Sequence, residues 1–213
     1  MIDLPPPAEI SLERSLGKGE RAEVFLANGG RFAIKRYFTQ DQISLPAKEL
    51  IPYQYDENGM FLGAQRELEV AQRLMHPNVI RIHSMFFDGT TTYLVMDFVD
   101  GRPIDDMQEK TVLLQAARDV IDVLRLALKE GLIHHDLHSE NFILDPLGKI
   151  YFIDLDSFDE EEGDQDWDEY AEHIYTFIHF LLRFDTAIPL KDGLQSKEDL
   201  TRYLDALKLA LSS

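Results

Sequence analysis

The sequence contains no cysteine among its 213 residues. Disulfide bonds, thiolate zinc sites and cysteine nucleophiles are therefore excluded, and any chemistry has to come from oxygen and nitrogen groups. No stretch approaches the roughly 18 consecutive apolar residues of a membrane-spanning helix. The opening MIDLPPPAEIS lacks the basic and apolar regions of a secretory signal peptide. We therefore expect a cytoplasmic protein that does not associate with membranes.

Basic residues are also scarce, since 21 lysines and arginines face 39 acidic residues and the net charge is −18. Such a charge repels nucleic acid backbones, so we expect no nucleic acid partner. The acidic excess is concentrated in residues 154–172, where DLDSFDEEEGDQDWDEYAE holds 11 acids and no lysine or arginine. This acidic run either attracts a basic partner or a polycationic small molecule, or is a solvated loop that keeps the protein soluble.

The first hundred residues have the pattern of a β-sheet. A single helix is predicted over 64–75, and residues 38–63 break every period and predict a long irregular connection. Alternating apolar residues predict strands in ISLERSLG, AEVFLAN, RFAIKRYF, VIRIHSMFF and TTYLVMDFV, the second and third joined by an Asn-Gly-Gly turn.

The remainder is mostly helical in pattern, with helices predicted over 111–130, 167–183 and 196–211 and short strands in NFILD and IYFID. A sheet-rich half followed by a helix-rich half predicts an α+β fold of two lobes with a cleft between them. The predicted lobes are residues 1–99 and 100–213, which together form one domain.

Two features of the first half are typical of phosphate binding. In GKGERAEV, Gly17 and Gly19 would let backbone N–H groups approach phosphate oxygens without a side-chain clash. A strand pattern follows, so this is not a dinucleotide fingerprint, and the Gly-Lys-Ser/Thr of a Walker loop is absent. Lys35 on the third strand could face the phosphates, held by Glu67 on the next helix.

The segment HHDLHSEN, residues 134–141, concentrates polar side chains between apolar runs. Asn141 and, 13 residues later, Asp154 offer the hard oxygen ligands that Mg²⁺ prefers, which leaves Asp136 to accept a proton or orient a nucleophile. His134 and His138 have the spacing of helical zinc ligands, but the flanks predict strand and loop, and the glutamate of the HExxH pattern is missing.

In this order the motifs resemble those of the protein-kinase-like superfamily over nearly the whole chain. The resemblance implies that GKGERAEV is the glycine-rich loop, that FAIK carries the phosphate-binding lysine, and that YLVMDFVDG is the hinge, with Met96 as gatekeeper and the backbone of 97–99 at the adenine edge. The implied nucleotide-site residues are Gly17, Gly19, Val24, Ala33, Lys35, Glu67, Met96, Asp97 and Val99.

HHDLHSEN resembles the catalytic loop of that superfamily. The resemblance implies Asp136 as the catalytic base, with Lys35 and His138 as further catalytic residues. It implies Asn141 and Asp154 as metal ligands, and ATP with Mg²⁺, or alternatively Mn²⁺, as cofactors.

Several positions depart from the usual pattern. His135 replaces the arginine that couples the base to a phosphorylated activation segment, and His138 replaces a lysine, as in kinases similar to aminoglycoside and choline phosphotransferases. Asp156 takes the place of the glycine in the Asp-Phe-Gly motif. Only residues 157–166 separate DLD from the helix that begins near Trp167, and no Ala-Pro-Glu follows. This minimal form is similar to small bacterial effector kinases.

The resemblance therefore implies a minimal Ser/Thr protein kinase that transfers the γ-phosphate of ATP without phosphorylation of an activation loop. Its partner would be a protein substrate, either basic or host-derived, and a host target would require delivery into a host cell. Two alternatives stay open: an aminoglycoside-like small-molecule kinase, and a pseudokinase-type acidic docking module.

Overall fold

The computed structural model describes residues 10–39, 41–42, 55–161, 166–183 and 193–212. The chain divides into two compact units. The first unit comprises the described residues of Met1–Arg73 and Ile80–Val99, and the second comprises those of Leu74–Val79 and Asp100–Ser213.

The first unit is a five-stranded antiparallel sheet with one helix, as the sequence predicts. The strand order is β1-β2-β3-β5-β4. The turn between β2 and β3 takes positive φ at Asn28, Gly29 and Gly30, which explains the Asn-Gly-Gly sequence there. The elements are β1 Leu12–Lys18, β2 Ala22–Ala27, β3 Phe32–Tyr37, α1 Leu62–Arg73, β4 Ile82–Phe87 and β5 Thr92–Asp97.

Alternation along β3 gives the sheet two different faces. Phe32 and Ile34 point to one face, where they pack with Ala27 and Val95 in a buried apolar cluster. The opposite face carries Ala33, Lys35 and Tyr37. The first face is therefore part of the hydrophobic core, and the second face can carry polar functional groups.

The helix α1 begins and ends two residues before the predicted range of 64–75. It begins early because the buried Phe61 is held in place just before it, with its N–H donating to Thr92 Oγ1 at 2.8 Å. Within the predicted irregular connection, Tyr55 and Phe61 form an isolated bridge. Residues 40 and 43–54 of that connection lie outside the described residues.

The second unit contains three long helices: α2 Lys110–Lys129, α3 Trp167–Leu182 and α4 Lys197–Ala210. The α2 helix ends before Gly131, whose φ of 72° favours glycine, as predicted. The predicted capping pattern of α4 is present, since Ser196 Oγ accepts the Asp199 N–H at 3.1 Å. None of the described helices has the length and apolar character needed to cross a membrane.

Short strands complete the second unit: β6 Arg102–Pro103, β7 Leu132–His134, β8 Phe142–Leu144, β9 Ile150–Phe152 and β10 Phe158–Glu160. They form two antiparallel sheets with the orders β10-β7 and β6-β8-β9. The sequence predicts β8 and β9. The other three were missed because they have at most two consecutive apolar residues, whereas β8 and β9 lie in the longer apolar runs of NFILD and IYFID.

A pair of leucines on α4 tests whether this last helix belongs to the core. Leu207 is 0% exposed and Leu209 is 71% exposed. We expect Leu207→Ala to lower the free energy of unfolding by about 2–5 kcal/mol, because it leaves a cavity. Leu209→Ala should change it by no more than about 0.5 kcal/mol. Urea unfolding measures both, and equal effects would contradict the packing of α4.

Candidate active site

The strand register brings four of the predicted nucleotide-site residues onto one face of the first unit's sheet. Lys35 lies between Val24 on β2 and Leu94 on β5, and Ala33 lies opposite Met96. Directly paired residues share a face, and alternate residues of one strand do so as well. Val24, Ala33, Lys35 and Met96 therefore form one surface, on the face opposite the apolar cluster.

An ion pair joins this face to α1. Lys35 Nζ lies 2.5 Å from Glu67 Oε1, and the two side chains are 11% and 0% exposed. The hydroxyl of Tyr37 donates to the same carboxylate oxygen. Sequence reasoning brought Lys35 and Glu67 together but missed Tyr37, although its position two residues after Lys35 places it on the same face.

The glycine-rich loop is the β1–β2 hairpin. Its turn is closed by a hydrogen bond from the Gly19 N–H to the Ala22 carbonyl at 2.9 Å. Among the described residues, no heavy atom lies within 4 Å of a Cβ built at Gly17, and Gly19 would meet only the Ala22 oxygen at 3.9 Å. Neither glycine has a positive φ. Because neither packing nor backbone conformation requires glycine here, the loop fits a phosphate group approaching the backbone.

The predicted hinge follows β5. Met96 is buried within the strand. The Asp97 N–H donates to the Arg81 carbonyl at 3.0 Å, and the Asp97 carboxylate lies 2.6 Å from His83 Nε2. The N–H and the side chain of Asp97 are thus both engaged inside the first unit.

In the second unit, the β8–β9 hairpin brings the two predicted metal ligands to one end. Phe142 pairs with Phe152, and one step further out the Ile153 N–H donates to the Asn141 carbonyl at 3.0 Å. Asn141 directly precedes β8, and Asp154 directly follows Ile153. The register of the hairpin therefore places Asn141 and Asp154 close together at the same end of the β8–β9 hairpin.

The orientation of the Asn141 amide fits a metal ligand. Its Nδ2 donates to the Asp136 carbonyl at 2.7 Å, and the residue is 3% exposed. With the amide nitrogen committed, the Oδ1 atom is the one that can bind a cation. An amide oxygen and the Asp154 carboxylate are the hard donors that Mg²⁺ takes.

The predicted base, Asp136, lies in the loop after β7. Its N–H donates to His134 Nδ1 at 3.2 Å, and the preceding His135 N–H donates to the Ser157 carbonyl at 3.0 Å. His138 Nε2 lies 3.1 Å from Asp136 Oδ2, and the two side chains are 40% and 63% exposed. The arrangement presents an accessible carboxylate, steadied by an imidazole, that can accept a proton or hydrogen bond from a hydroxyl.

His134 is a structural residue of this loop. Its ring meets the Phe158 ring edge-on, at 4.5 Å between centroids, and the residue is 1% exposed. Burial lowers its pKa to about 3 from the ordinary 6.5, so the ring stays neutral. With Nδ1 accepting the Asp136 N–H and the ring enclosed, His134 does not join His138 in a zinc site.

Tyr170 supports the loop from α3, a contact that sequence reasoning missed. The His134 N–H donates to the Tyr170 hydroxyl at 3.1 Å, between residues 36 positions apart. Tyr170 is 2% exposed, and burial raises the pKa of its hydroxyl. No local pattern signals a contact at this sequence separation, because it depends on how α3 packs.

Comparison with known proteins identifies the family. Residues 10–177 match the protein kinase domain. Because this match covers most of the chain, the chain belongs to the protein kinase domain family.

Among its relatives, the chain is 26% identical over 153 residues to Aurora kinase A-A of Xenopus laevis, covering 69% of this chain and 35% of the relative. It is 27% identical over 157 residues to Aurora/IPL1-related protein kinase 2 of Caenorhabditis briggsae, covering 69% and 48%. It is 22% identical over 157 residues to Aurora kinase C of Mus musculus, covering 69% and 52%. The chain therefore spans between about a third and about half the length of these relatives.

Removing the Tyr170 hydroxyl tests its support of the loop. Tyr170→Phe leaves the buried His134 N–H without an acceptor, so we expect the free energy of unfolding to fall by about 1–3 kcal/mol. Urea unfolding measures the change. Tyr151→Phe is the matched control, since its hydroxyl accepts from the partly exposed Lys149 side chain at 3.0 Å. A loss no larger than the control's would contradict the role of Tyr170.

The neutral state of His134 predicts a pH dependence of stability. The pKa of His134 is lowered in the folded chain. Below the ordinary pKa of histidine, the unfolded chain therefore binds more protons than the folded chain, and the free energy of unfolding decreases as the pH is lowered. We expect this to cost about 1 kcal/mol between about pH 7 and about pH 5.5. His134→Phe should remove this part of the pH dependence, and His173→Phe on the exposed side of α3 should keep it. Unfolding curves at the two pH values with equal losses in both variants would contradict the prediction.

Proposed function

We propose that the chain transfers the γ-phosphate of ATP to a serine or threonine hydroxyl of a protein substrate. Membership of the protein kinase domain family supports phosphoryl transfer with ATP and a divalent metal in general terms. The observation that carries the proposal is the loop of residues 134–141, where one hydrogen-bonded turn holds an accessible Asp136 beside Asn141, whose amide nitrogen is engaged and whose amide oxygen could bind a cation.

Each site residue has a role that its own chemistry supports. Lys35 would bind phosphate oxygens through its ammonium group while Glu67 fixes its position. Asn141 Oδ1 and the Asp154 carboxylate would hold Mg²⁺. When bound, the ion neutralises charge on the phosphate oxygens. Asp136 would orient the acceptor hydroxyl and accept its proton.

His138 takes over a position at which the resemblance predicts lysine. Its Nε2 atom lies within hydrogen-bond distance of Asp136 Oδ2, at 3.1 Å. An imidazole N–H on one carboxylate oxygen restricts rotation of the side chain and leaves the other oxygen for the substrate hydroxyl. We therefore assign His138 to holding the base in position.

The segment after Asp154 supports activity without phosphorylation of an activation loop. It returns at once to the loop's own strand, since Phe158 on β10 pairs with His134 on β7. His135, which replaces the coupling arginine, is tied through its backbone N–H to Ser157. The contacts that shape the loop thus come from the chain itself.

A basic protein substrate is the partner that the charge favours. The chain carries a net charge of −18, and the side chains of Asp159 and Glu160, both in the acidic run, are exposed. Long-range attraction would raise the encounter rate with a cationic partner and would weaken as salt is added.

The test is incubation with Mg²⁺ and γ-labelled ATP, alone, with a basic generic protein, and with a panel of aminoglycosides. We expect label on protein, and we expect both Asp136→Asn and Asp154→Ala to lower its rate at least about a hundredfold, because they remove the base and a metal ligand. Asp205→Asn, on a half-exposed surface ion pair with Arg125, is the control and should retain the rate.

The three acceptors separate the alternatives. Label confined to aminoglycosides would assign the chain to small-molecule kinases. Absence of label with every acceptor would overturn the proposal and favour a docking module. Wild-type turnover in Asp154→Ala would remove the metal role from that residue alone.

A further inference from the structure

We propose that Tyr37 is a positioning residue for the Lys35–Glu67 ion pair. Its hydroxyl holds the Glu67 carboxylate on Lys35, and all three residues belong to the first unit. This inference rests on the proposed phosphoryl transfer and concerns how the same site is kept ready for it.

The geometry around Glu67 carries the inference. Lys35 and Tyr37 lie two residues apart on β3 and therefore on the same face of the strand. Both donate to one atom, Glu67 Oε1, with the ammonium at 2.5 Å. Two donors from one strand that converge on one carboxylate oxygen define its position relative to β3 more narrowly than either donor alone. Hydrogen bonds to an ionised acceptor are also the stronger kind.

Tyr37 can exert this constraint because its own ring is fixed. The residue is 1% exposed, and its ring stacks on Phe61 with centroids 4.5 Å apart and an interplanar angle of 26°. Phe61 is anchored to β5 through the Thr92 hydroxyl. The Tyr55 ring packs edge-on against the same Phe61 ring, with 5.3 Å between the centroids. The hydroxyl of Tyr37 is thus presented to α1 by a rigid aromatic group.

The consequence concerns regulation. Glu67 lies on a helix, and a helix packed on a sheet can shift as a body. If the sheet supplies a second donor for Glu67, the paired arrangement is favoured in the folded first unit before any partner or modification acts. Tyr37 would therefore take a part of the role that an external activating event has in a kinase whose lysine and glutamate separate at rest.

Tyr37→Phe tests the hydroxyl because it keeps the ring and its stacking on Phe61. We expect kcat/KM for ATP to fall about tenfold, the loss corresponding to one hydrogen bond to a charged group. Tyr55→Phe is the matched control. The Tyr55 ring also packs on Phe61, and its hydroxyl donates to the Phe38 carbonyl at 2.8 Å. The kcat/KM of this variant should stay within about twofold of wild type.

A second background separates positioning from a general structural effect. In a Glu67→Ala chain, Tyr37→Phe should cause no further loss of kcat/KM, because the carboxylate on which Tyr37 acts is gone and alanine offers its hydroxyl no acceptor. KM for the protein acceptor should be unchanged in Tyr37→Phe, since the hydroxyl acts on Glu67 and, through it, on the proposed phosphate-binding Lys35. Urea unfolding of each variant shows that the folded chain is being compared.

The outcomes distinguish this inference from the function on which it rests. No turnover in wild type would overturn the proposed function and this inference with it. An active wild type with equal turnover in Tyr37→Phe and Tyr55→Phe would overturn the inference and leave the function in place. An undiminished effect of Tyr37→Phe in the Glu67→Ala background would show that the hydroxyl acts elsewhere, which also overturns it.

Discussion

The buried ion pair between Lys35 and Glu67 sets a constraint that the rest of the first unit has to meet. Removing two charges from water costs several kcal/mol for each, and their attraction offsets this only when the geometry is close and further hydrogen bonds are made. The first unit meets this condition with a central strand flanked by β2 and β5, a helix that begins at an anchored Phe61, and the Tyr37 hydroxyl. The Glu67 carboxylate therefore connects the position of α1 to that of β3 in the sheet.

The second unit meets a related constraint on the backbone. The loop that carries Asp136 leaves the ladder of β7, so its N–H groups need other acceptors if they are not to lose hydrogen bonds on folding. Successive residues use three different sources: the Tyr170 hydroxyl, the Ser157 carbonyl and the Nδ1 atom of His134. Because these acceptors belong to α3, to the segment after β9 and to the loop itself, the loop takes its shape only when the whole second unit is folded.

The sequence predicts the parts of this arrangement that local patterns encode. Period-two alternation indicates the strands of the first unit, and the positions of Lys35, Asp136, Asn141 and Asp154 follow from ordered motifs. The fold class could be predicted for the same reason. Short strands without an apolar run, such as β7 and β10, show no pattern in the sequence, and the contact of Tyr170 with the loop depends on helix packing. Tyr37 is an intermediate case, since alternation places it beside Lys35 but does not reveal that its hydroxyl reaches Glu67.

The two histidines that replace basic residues in the catalytic loop have different consequences. Position 135 contributes its backbone N–H to Ser157, a contact that almost any residue could make. Position 138 contributes its ring to the Asp136 carboxylate, a contact that depends on its side chain. The loop is thus supported without the arginine that the resemblance predicts at position 135, whereas His138 ties the proposed base within the loop. Both features place control of the proposed base inside the folded chain, as Tyr37 does for the proposed phosphate-binding lysine.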